Sequence, residues 1–198
     1  MAHTRRWEIE LTFDELKTHQ RGPLTVLRSK SPDLVLPPVG HADPMPRIAR
    51  ADDVSRDELV EFLRHRHRAL LMTRKRDGSA QLSPVSAGVD PLGRIVVATY
   101  PQRAKTRNAR RHPQVSMCFL SDDWDDDWVQ VDGTVEVLDM PAATEAFVDY
   151  YRSIAGEHPD WEEYRAAMVR QDKSLLRVTI DRWGPVATGG FPPDVTQS

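Results

Sequence analysis

The densest group of side chains that could do chemistry is a basic segment in the middle of the chain. Residues 103–111 contain five cations and no acid, shortly after a run of β-branched residues that ends at Thr99. A helix that begins here would present free backbone N–H groups, and the positive end of its dipole, to an anion. Arg103, Lys105 and Thr106 would then surround a phosphate group.

The spacing within the segment leaves two interpretations open. At about 100° per residue, the four arginines lie on one side of a helix and Lys105 lies on another. One cation would thus face a different pocket from the rest. The alternative is a solvated helix face with its ordinary content of Arg and Lys, and spacing alone does not decide between them.

The elements around this segment are predicted from apolar runs rich in β-branched residues and from one turn signal. Six runs read as strands: residues 69–73, 81–89, 94–99, 115–120, 128–138 and 175–183. Asp77 and Gly78 between the first two runs are the strongest short signal for a hairpin. Strands joined by hairpins favour an antiparallel barrel over a parallel sheet, and no glycine-rich nucleotide-binding motif is present.

Three further helices are predicted from capping signals. Residues 55–58 fit a capping box, so a short amphipathic helix is expected to end near His65. Pro141 and Gly156 suit the first turn and the end of a second helix, and Asp160 caps a third. The fold class is therefore mainly β with flanking helices.

Composition limits the kind of protein. A chain of 198 residues with 39% hydrophobic content supports one well-buried domain. The net charge of −3 argues against sequence-blind nucleic-acid binding, so any anion site must be local. No apolar stretch approaches a membrane span, and the lone Cys118 excludes an intrachain disulfide. A reducing cytoplasm is the expected location.

The proline distribution predicts the domain limits. Six of the fifteen prolines precede Ile48, a composition that resists both helix and central strand. We expect residues 1–50 to form an arm or linker, residues 51–185 the packed domain and residues 186–198 a tail. Met45 is an alternative start, which would make the first 44 residues a translation artefact.

Metal and nucleophile chemistry are not indicated. The acidic run at residues 122–127 lacks the glycine and the distal glutamate of a calcium loop, and arginines surround His65 and His67. No metal site is expected. No Ser-His-Asp or Cys-His arrangement stands out, so no catalytic residue is assigned.

Four separated segments carry a family resemblance. Residues 77–85, 102–113, 131–137 and 151–161 resemble, in order, the pyridoxamine-phosphate-oxidase-like superfamily. They are most similar to its actinobacterial branch of flavin and deazaflavin oxidoreductases, which uses the deazaflavin coenzyme F420. The resemblance extends over about residues 54–183. It implies a split β-barrel homodimer with two cofactor sites, each built from both chains.

The resemblance also implies site residues by position. The phosphate side would comprise Thr99, Arg103, Ala104, Lys105, Thr106 and Asn108. The strand near the ring system would contribute Gln81, Ser83, Pro84 and Val85, and Trp128 would line the site from the acidic loop. Ser86 stands where relatives often carry a bulky aromatic residue, which implies a wider substrate pocket.

The cations beyond the phosphate favour one cofactor. Coenzyme F420 carries a negatively charged polyglutamate tail beyond its phosphate, and Arg107, Arg110 and Arg111 are additional cations that could bind it. Flavin mononucleotide (FMN) has no such tail and needs fewer cations. Pyridoxamine phosphate oxidases proper end in an Arg-Leu-x-Pro pattern, but residues 189–193 read Gly-Gly-Phe-Pro-Pro. This ending argues against vitamin chemistry.

These inferences combine into one expected function with two alternatives. The chain is expected to use reduced F420 to reduce a conjugated, planar small molecule such as an unsaturated lactone, quinone or tetrapyrrole. The cofactor carries the reaction, and the protein supplies binding, orientation and exclusion of water. The alternatives are an FMN-dependent oxidoreductase of the same superfamily, or a protein that carries F420 or FMN without turnover.

Overall fold

The computed structural model describes residues 48–123 and 126–191. Four helices are present in this part of the chain: α1 (Arg56–Arg64), α2 (Ala104–Arg111), α3 (Thr144–Ala155) and α4 (Trp161–Arg170). The strands are β1 (Arg50–Asp52), β2 (Arg68–Arg74), β3 (Ala80–Ser86), β4 (Gly88–Val89), β5 (Ile95–Thr99), β6 (Gln114–Leu120), β7 (Val129–Asp139), β8 (Ser174–Trp183) and β9 (Val186–Thr188).

The predicted helix caps are confirmed. Ser55 forms a full capping box with Glu58 at the start of α1. Asp160 accepts a hydrogen bond from the backbone N–H of Glu163 and begins α4, and Gly156 ends α3. The expectation that Pro141 lies in the first turn of α3 is wrong, because the helix begins at Thr144 and Pro141 lies in the turn before it.

Seven of the strands form one antiparallel sheet in the order β3-β2-β6-β7-β8-β5-β4. The first and last strands of this order are consecutive in the chain and are separated by Ala87 alone. The sheet must therefore curl until its two edges approach each other, which is the geometry of a split barrel. This confirms the predicted fold class, mainly β with flanking helices.

The run at residues 81–89 was expected to be one strand, and the structure divides it in two. Ala87 donates its N–H to the carbonyl of His67 and accepts at its own carbonyl from the His67 side chain. The chain stops pairing with β2 at this point, and β4 pairs with β5 to form the opposite edge of the sheet. Residue types alone carry no sign of this change of partner.

A separate two-stranded pair joins segments near the two ends of the described chain. β1 pairs antiparallel with β9, and Trp128 bridges to Ala187 beside it. Arg50, assigned above to the arm, and Val186–Thr188, assigned to the tail, thus lie in strands. Residues 1–47 and 192–198, which make up most of the predicted arm and tail, lie outside the described residues.

Two hydrophobic clusters explain how the layers hold together. The inward side chains of the sheet pack with Leu59 and Leu63 of α1 and Ala109 of α2 inside the barrel. On the outside, α3 and α4 cover Val96 and Leu175. The outer side of β8 and β5 is therefore closed by helices.

The outer side of β2, β3 and β6 is different. Its outward residues include Leu70, Met72, Leu82, Pro84 and Cys118, which we call the outer apolar face. Within the described residues, none of the five belongs to either cluster, and Leu82 is 63% exposed. No helix in the described part of the chain is long and apolar enough to cross a membrane.

Candidate functional site

Two threonines fix the start of α2 on the end of β5. Thr106 is fully buried and donates its hydroxyl to the carbonyl of Tyr100 at 2.8 Å. Its Oγ1 atom also lies 3.1 Å from Oγ1 of Thr99, the last residue of β5. The backbone N–H of Arg103 donates to the same Tyr100 carbonyl. The structure thus brings Thr99, Arg103 and Thr106 together, with both hydroxyls used to hold the helix in place.

The N-terminus of α2 lacks a side-chain cap. Arg103 occupies the N-cap position in an extended conformation, and its first turn contains no acid. Ser55 and Asp160, by contrast, cap α1 and α4 with their side chains. The first-turn N–H groups of α2, beginning at the exposed Ala104, are therefore left for an anion or for solvent.

Lys105 lies in this uncapped turn and carries a perturbed charge. Its side chain is half-buried, and burial lowers the pKa of its ammonium group. The neighbouring positive charge of Arg103 lowers that pKa further. In the described part of the chain, no carboxylate forms an ion pair with Lys105. A partly buried cation without a counterion has a favourable interaction to gain from a bound anion.

The other cations of the segment are less free than their number suggests. Arg110 forms two hydrogen bonds to Asp139, at 2.7 and 2.8 Å. These bonds, with a further one from Ser174, lower the pKa of the Asp139 carboxyl. Arg111 donates to the Asn108 side chain. Arg107 is exposed and remains available to a ligand that extends beyond the first turn.

The ring of Tyr100 lies near two cations at the N-terminal end of α2. The guanidinium of Arg103 lies 6.0 Å from the centre of its ring, and the ammonium of Lys173 lies 5.6 Å from it. Lys173 is only 8% exposed and immediately precedes β8. The corner at the start of α2 is therefore locally positive in a chain whose net charge is negative.

A row of side-chain hydrogen bonds connects α2 to β3. Asn108 is 4% exposed and donates from Nδ2 to the hydroxyl of the fully buried Thr73, at 3.2 Å. Thr73 donates in turn to Oε1 of Gln81 at 3.1 Å. The amide nitrogen of Gln81 donates to Oγ of Ser83 at 2.6 Å. The predicted phosphate side and ring side are thus physically linked.

The four β3 residues predicted to lie near the ring do not share one face. Gln81, Ser83 and Val85 pair with inward residues of β2 and are half-buried. Pro84 is exposed and belongs to the outer apolar face. The structure therefore places three of the four on the side of Thr73.

Trp128 is not brought to α2 within one chain. It is 39% exposed and stands next to Val129, which pairs with Phe119 and through it with Ala69. Ala69 lies four residues from Thr73 along β2, or about 13 Å at the rise of a strand. In a single chain, the Trp128 backbone is therefore at the other end of the barrel from Asn108 and Lys105.

Comparison with known proteins decides the family. The family model described as pyridoxamine 5'-phosphate oxidase matches residues 55–187, well over half of the chain. The chain belongs to the pyridoxamine 5'-phosphate oxidase family. Membership of this family indicates an oxidoreductase of the flavin-binding kind, and it agrees with the split barrel seen here.

Solved structures of the same fold are distant in sequence. A conserved hypothetical protein from Mycobacterium tuberculosis aligns with a TM-score of 0.59 and 22% identity, over 72% of this chain and 89% of that one. A heme binding protein from Mycobacterium smegmatis aligns with a TM-score of 0.53 and 18% identity, over 70% and 56%. An F420 reductase aligns at 23% identity over 62% and 94%, but its TM-score of 0.47 is too low to establish a shared fold.

Some residues of the candidate site carry no motif in the sequence. Thr73 is the last inward residue of an apolar strand, and Lys173 is a single lysine between two elements. Only the three-dimensional pairing places Thr73 beside Asn108 and Lys173 beside Tyr100. Among the described residues, no group of three or more His, Cys, Asp or Glu side chains is arranged to hold a metal ion.

Proposed function

We propose that the start of α2 binds the phosphate of coenzyme F420 and that the protein is an F420-dependent reductase. The observation that carries the proposal is Lys105, a half-buried cation with no acidic partner among the described residues, in an uncapped first turn. Arg103 stands beside it, and the N–H groups of the turn add further donors.

The residues present suit a phosphate-bearing, ring-containing cofactor. Lys105, Arg103 and the backbone at Ala104 would hold the phosphate, while Thr99 and Thr106 hold the helix that presents these groups. Gln81, Ser83 and Val85 would flank the ring system from β3. When bound in its reduced form, the deazaflavin supplies a hydride to an electron-poor double bond, and the protein orients the two and excludes water.

The preference for F420 over FMN rests on the resemblance of the sequence and on one arginine. Arg110 and Arg111 are engaged with Asp139 and Asn108, so Arg107 is the cation best placed for a negatively charged tail. The proposed acceptor is a conjugated, planar small molecule such as an unsaturated lactone, a quinone or a tetrapyrrole.

The proposal includes a homodimer. The five side chains of the outer apolar face belong to neither hydrophobic cluster, and the exposure of Leu82 favours a second copy of the chain as their cover. A dimer would also resolve the position of Trp128, since the second copy could bring its tryptophan to a site that a single chain leaves open.

A titration of the purified protein with F420 and with FMN, at two salt concentrations, tests the proposal. Tight, salt-sensitive binding of F420 alone is expected. Replacing Lys105 by Ala should weaken that binding by roughly 1.5–3 kcal/mol, the range for hydrogen bonds to charged groups. Arg165→Ala is the matched control, because it removes one positive charge from a pair with Glu145 on α3.

Three outcomes contradict parts of the proposal. Preference for FMN would move the protein to the flavin-dependent branch of the family. Equal affinities for Lys105→Ala and wild type would remove the phosphate assignment. Tight F420 binding with no reduction across a panel of activated alkenes, quinones and tetrapyrroles would make the protein a cofactor carrier.

A further inference from the structure

The row of hydrogen bonds between α2 and β3 has a single direction. Arg111 can only donate, so the atom of Asn108 that it contacts must be the amide oxygen. The Asn108 nitrogen is therefore the donor to Thr73, whose one proton is left for Gln81. Because a guanidinium can only donate, its contact fixes which atom of the Asn108 amide is the oxygen, and the proton of Thr73 then fixes the same for Gln81.

The direction continues to Ser83. Because Oε1 of Gln81 accepts from Thr73, its Nε2 faces Ser83 and donates to that hydroxyl oxygen. The same nitrogen also donates to the carbonyl of Leu82, which holds the amide plane. Ser83 thus accepts at its oxygen, and within the described residues its own proton has no acceptor.

Burial makes this row stronger than its separate bonds. Thr73 is 0% exposed and Asn108 is 4% exposed, so solvent does not compete for the two central bonds. In such surroundings, hydrogen bonds arranged head to tail polarise one another. A cationic donor at one end and a hydroxyl proton at the other end make Ser83 a better donor than an isolated serine.

We propose that Ser83 donates this proton to an acceptor atom on the edge of the bound cofactor ring, a carbonyl oxygen or an unprotonated ring nitrogen. Thr73 is the positioning residue that sets the direction of the row. The inference rests on the proposed function and deepens it, since it assigns the polarity of the ring edge that β3 recognises. A ring edge that presents N–H at this point would meet a second donor and be disfavoured.

Thr73→Val is the central variant, because it keeps the shape of the side chain and removes the hydroxyl through which the row passes. Its affinity for F420 or FMN, whichever the wild type binds, should fall by about five- to tenfold, the loss of one ordinary hydrogen bond. Its affinity for inorganic phosphate, measured by competition, should stay unchanged. Thr73→Ser restores the hydroxyl and should restore cofactor affinity.

Ser83→Ala removes the terminal donor from a half-exposed strand position, and it carries the test should Thr73→Val not fold. It should lower the affinity for the cofactor by a similar factor and shift the visible absorption band of the bound cofactor. The double variant should lose no more than either single one. Tyr164→Phe, which removes a buried hydroxyl bonded to Phe147 in the α3–α4 layer, should change none of these quantities.

The outcomes separate the two claims. If the wild type binds neither F420 nor FMN, the proposed function is wrong and the inference falls with it. If the wild type binds, the inference alone is overturned by any one of three results: equal losses for cofactor and phosphate, additive losses in the double variant, or an unchanged absorption band in Ser83→Ala.

Discussion

At the scale of single residues, the charge of Lys105 decides how cofactor binding should depend on pH. Burial, and then Arg103, lowers the pKa of its ammonium below the ordinary lysine value of about 10.4. Only the charged form attracts an anion. Affinity for an anionic cofactor should thus be complete below the lowered pKa and should fall as the pH rises through it, earlier than for an exposed lysine.

Lys105→Arg supplies the comparison, because a guanidinium keeps its charge throughout this pH range. Dissociation constants for F420 should rise with alkaline pH in the wild type and stay level in the Lys105→Arg variant. Titration of the ligand itself is common to both proteins and cancels. A parallel fall in the two proteins would show that another group titrates, and Lys105 would lose its role.

The sequence predicted the cations of the site better than their surroundings. The basic segment does form a helix, and its position directly after a strand is as expected. Which of its arginines are occupied depends on Asp139, Ser174 and Asn108, two of which lie far along the chain. Pairing of this kind follows from tertiary contact, so composition and spacing could not reveal it.

At the scale of elements, the strands were predictable where apolar or β-branched runs are bounded by turn signals, and less so where the pairing partner changes. The hairpin at Gly78 and the capped helices follow from local residue preferences. The division of residues 81–89 at Ala87 and the irregular register at Gly133 depend on which strand lies alongside. Neighbouring strands, and not local propensity, determine such breaks.

Gly133 provides a test of that account. A Cβ atom added there would press against the backbone carbonyl of Thr179 and the side chain of Val178, on the strand opposite the irregularity. Backbone in a central strand cannot move away cheaply. Gly133→Ala should therefore lower the free energy of unfolding by about 1–3 kcal/mol, as measured by urea denaturation.

Gly184→Ala is the matched control for this prediction. An added Cβ there would meet nothing within 4 Å, so the change should stay within about 0.5 kcal/mol of wild type. Similar losses in both variants would attribute the effect to glycine replacement in general and not to the close approach of β8.

At the scale of the whole molecule, the outer apolar face is the feature that tests whether the protein acts as a monomer or needs a second copy of the chain. One layer of helices covers β5 and β8, and the barrel interior is filled from α1 and α2. The outward side chains of β2, β3 and β6 have no such cover in the described part of the chain. Because β3 carries Gln81 and Ser83 on its inward side and Leu82 and Pro84 on the outer apolar face, a second copy on this face would pack against the strand that lines the proposed ring side.

Leu82→Asp tests this arrangement directly. A carboxylate in the centre of an apolar interface has to be desolvated without a partner, which costs several kcal/mol. The variant should be a monomer at micromolar concentration by light scattering after size exclusion, under conditions in which the wild type is expected to be a dimer. Cofactor affinity should fall with it, since the site would lose whatever the second chain contributes.

Leu92→Asp distinguishes an interface from mere exposure. Leu92 is 68% exposed in the turn between β4 and β5, slightly more than Leu82, but it lies outside the outer apolar face. Its replacement should leave both the dimer and the cofactor affinity unchanged. A wild type that is monomeric, or a Leu82→Asp variant that stays dimeric with full affinity, would mean that the site is complete within one chain and that Trp128 takes no part in it.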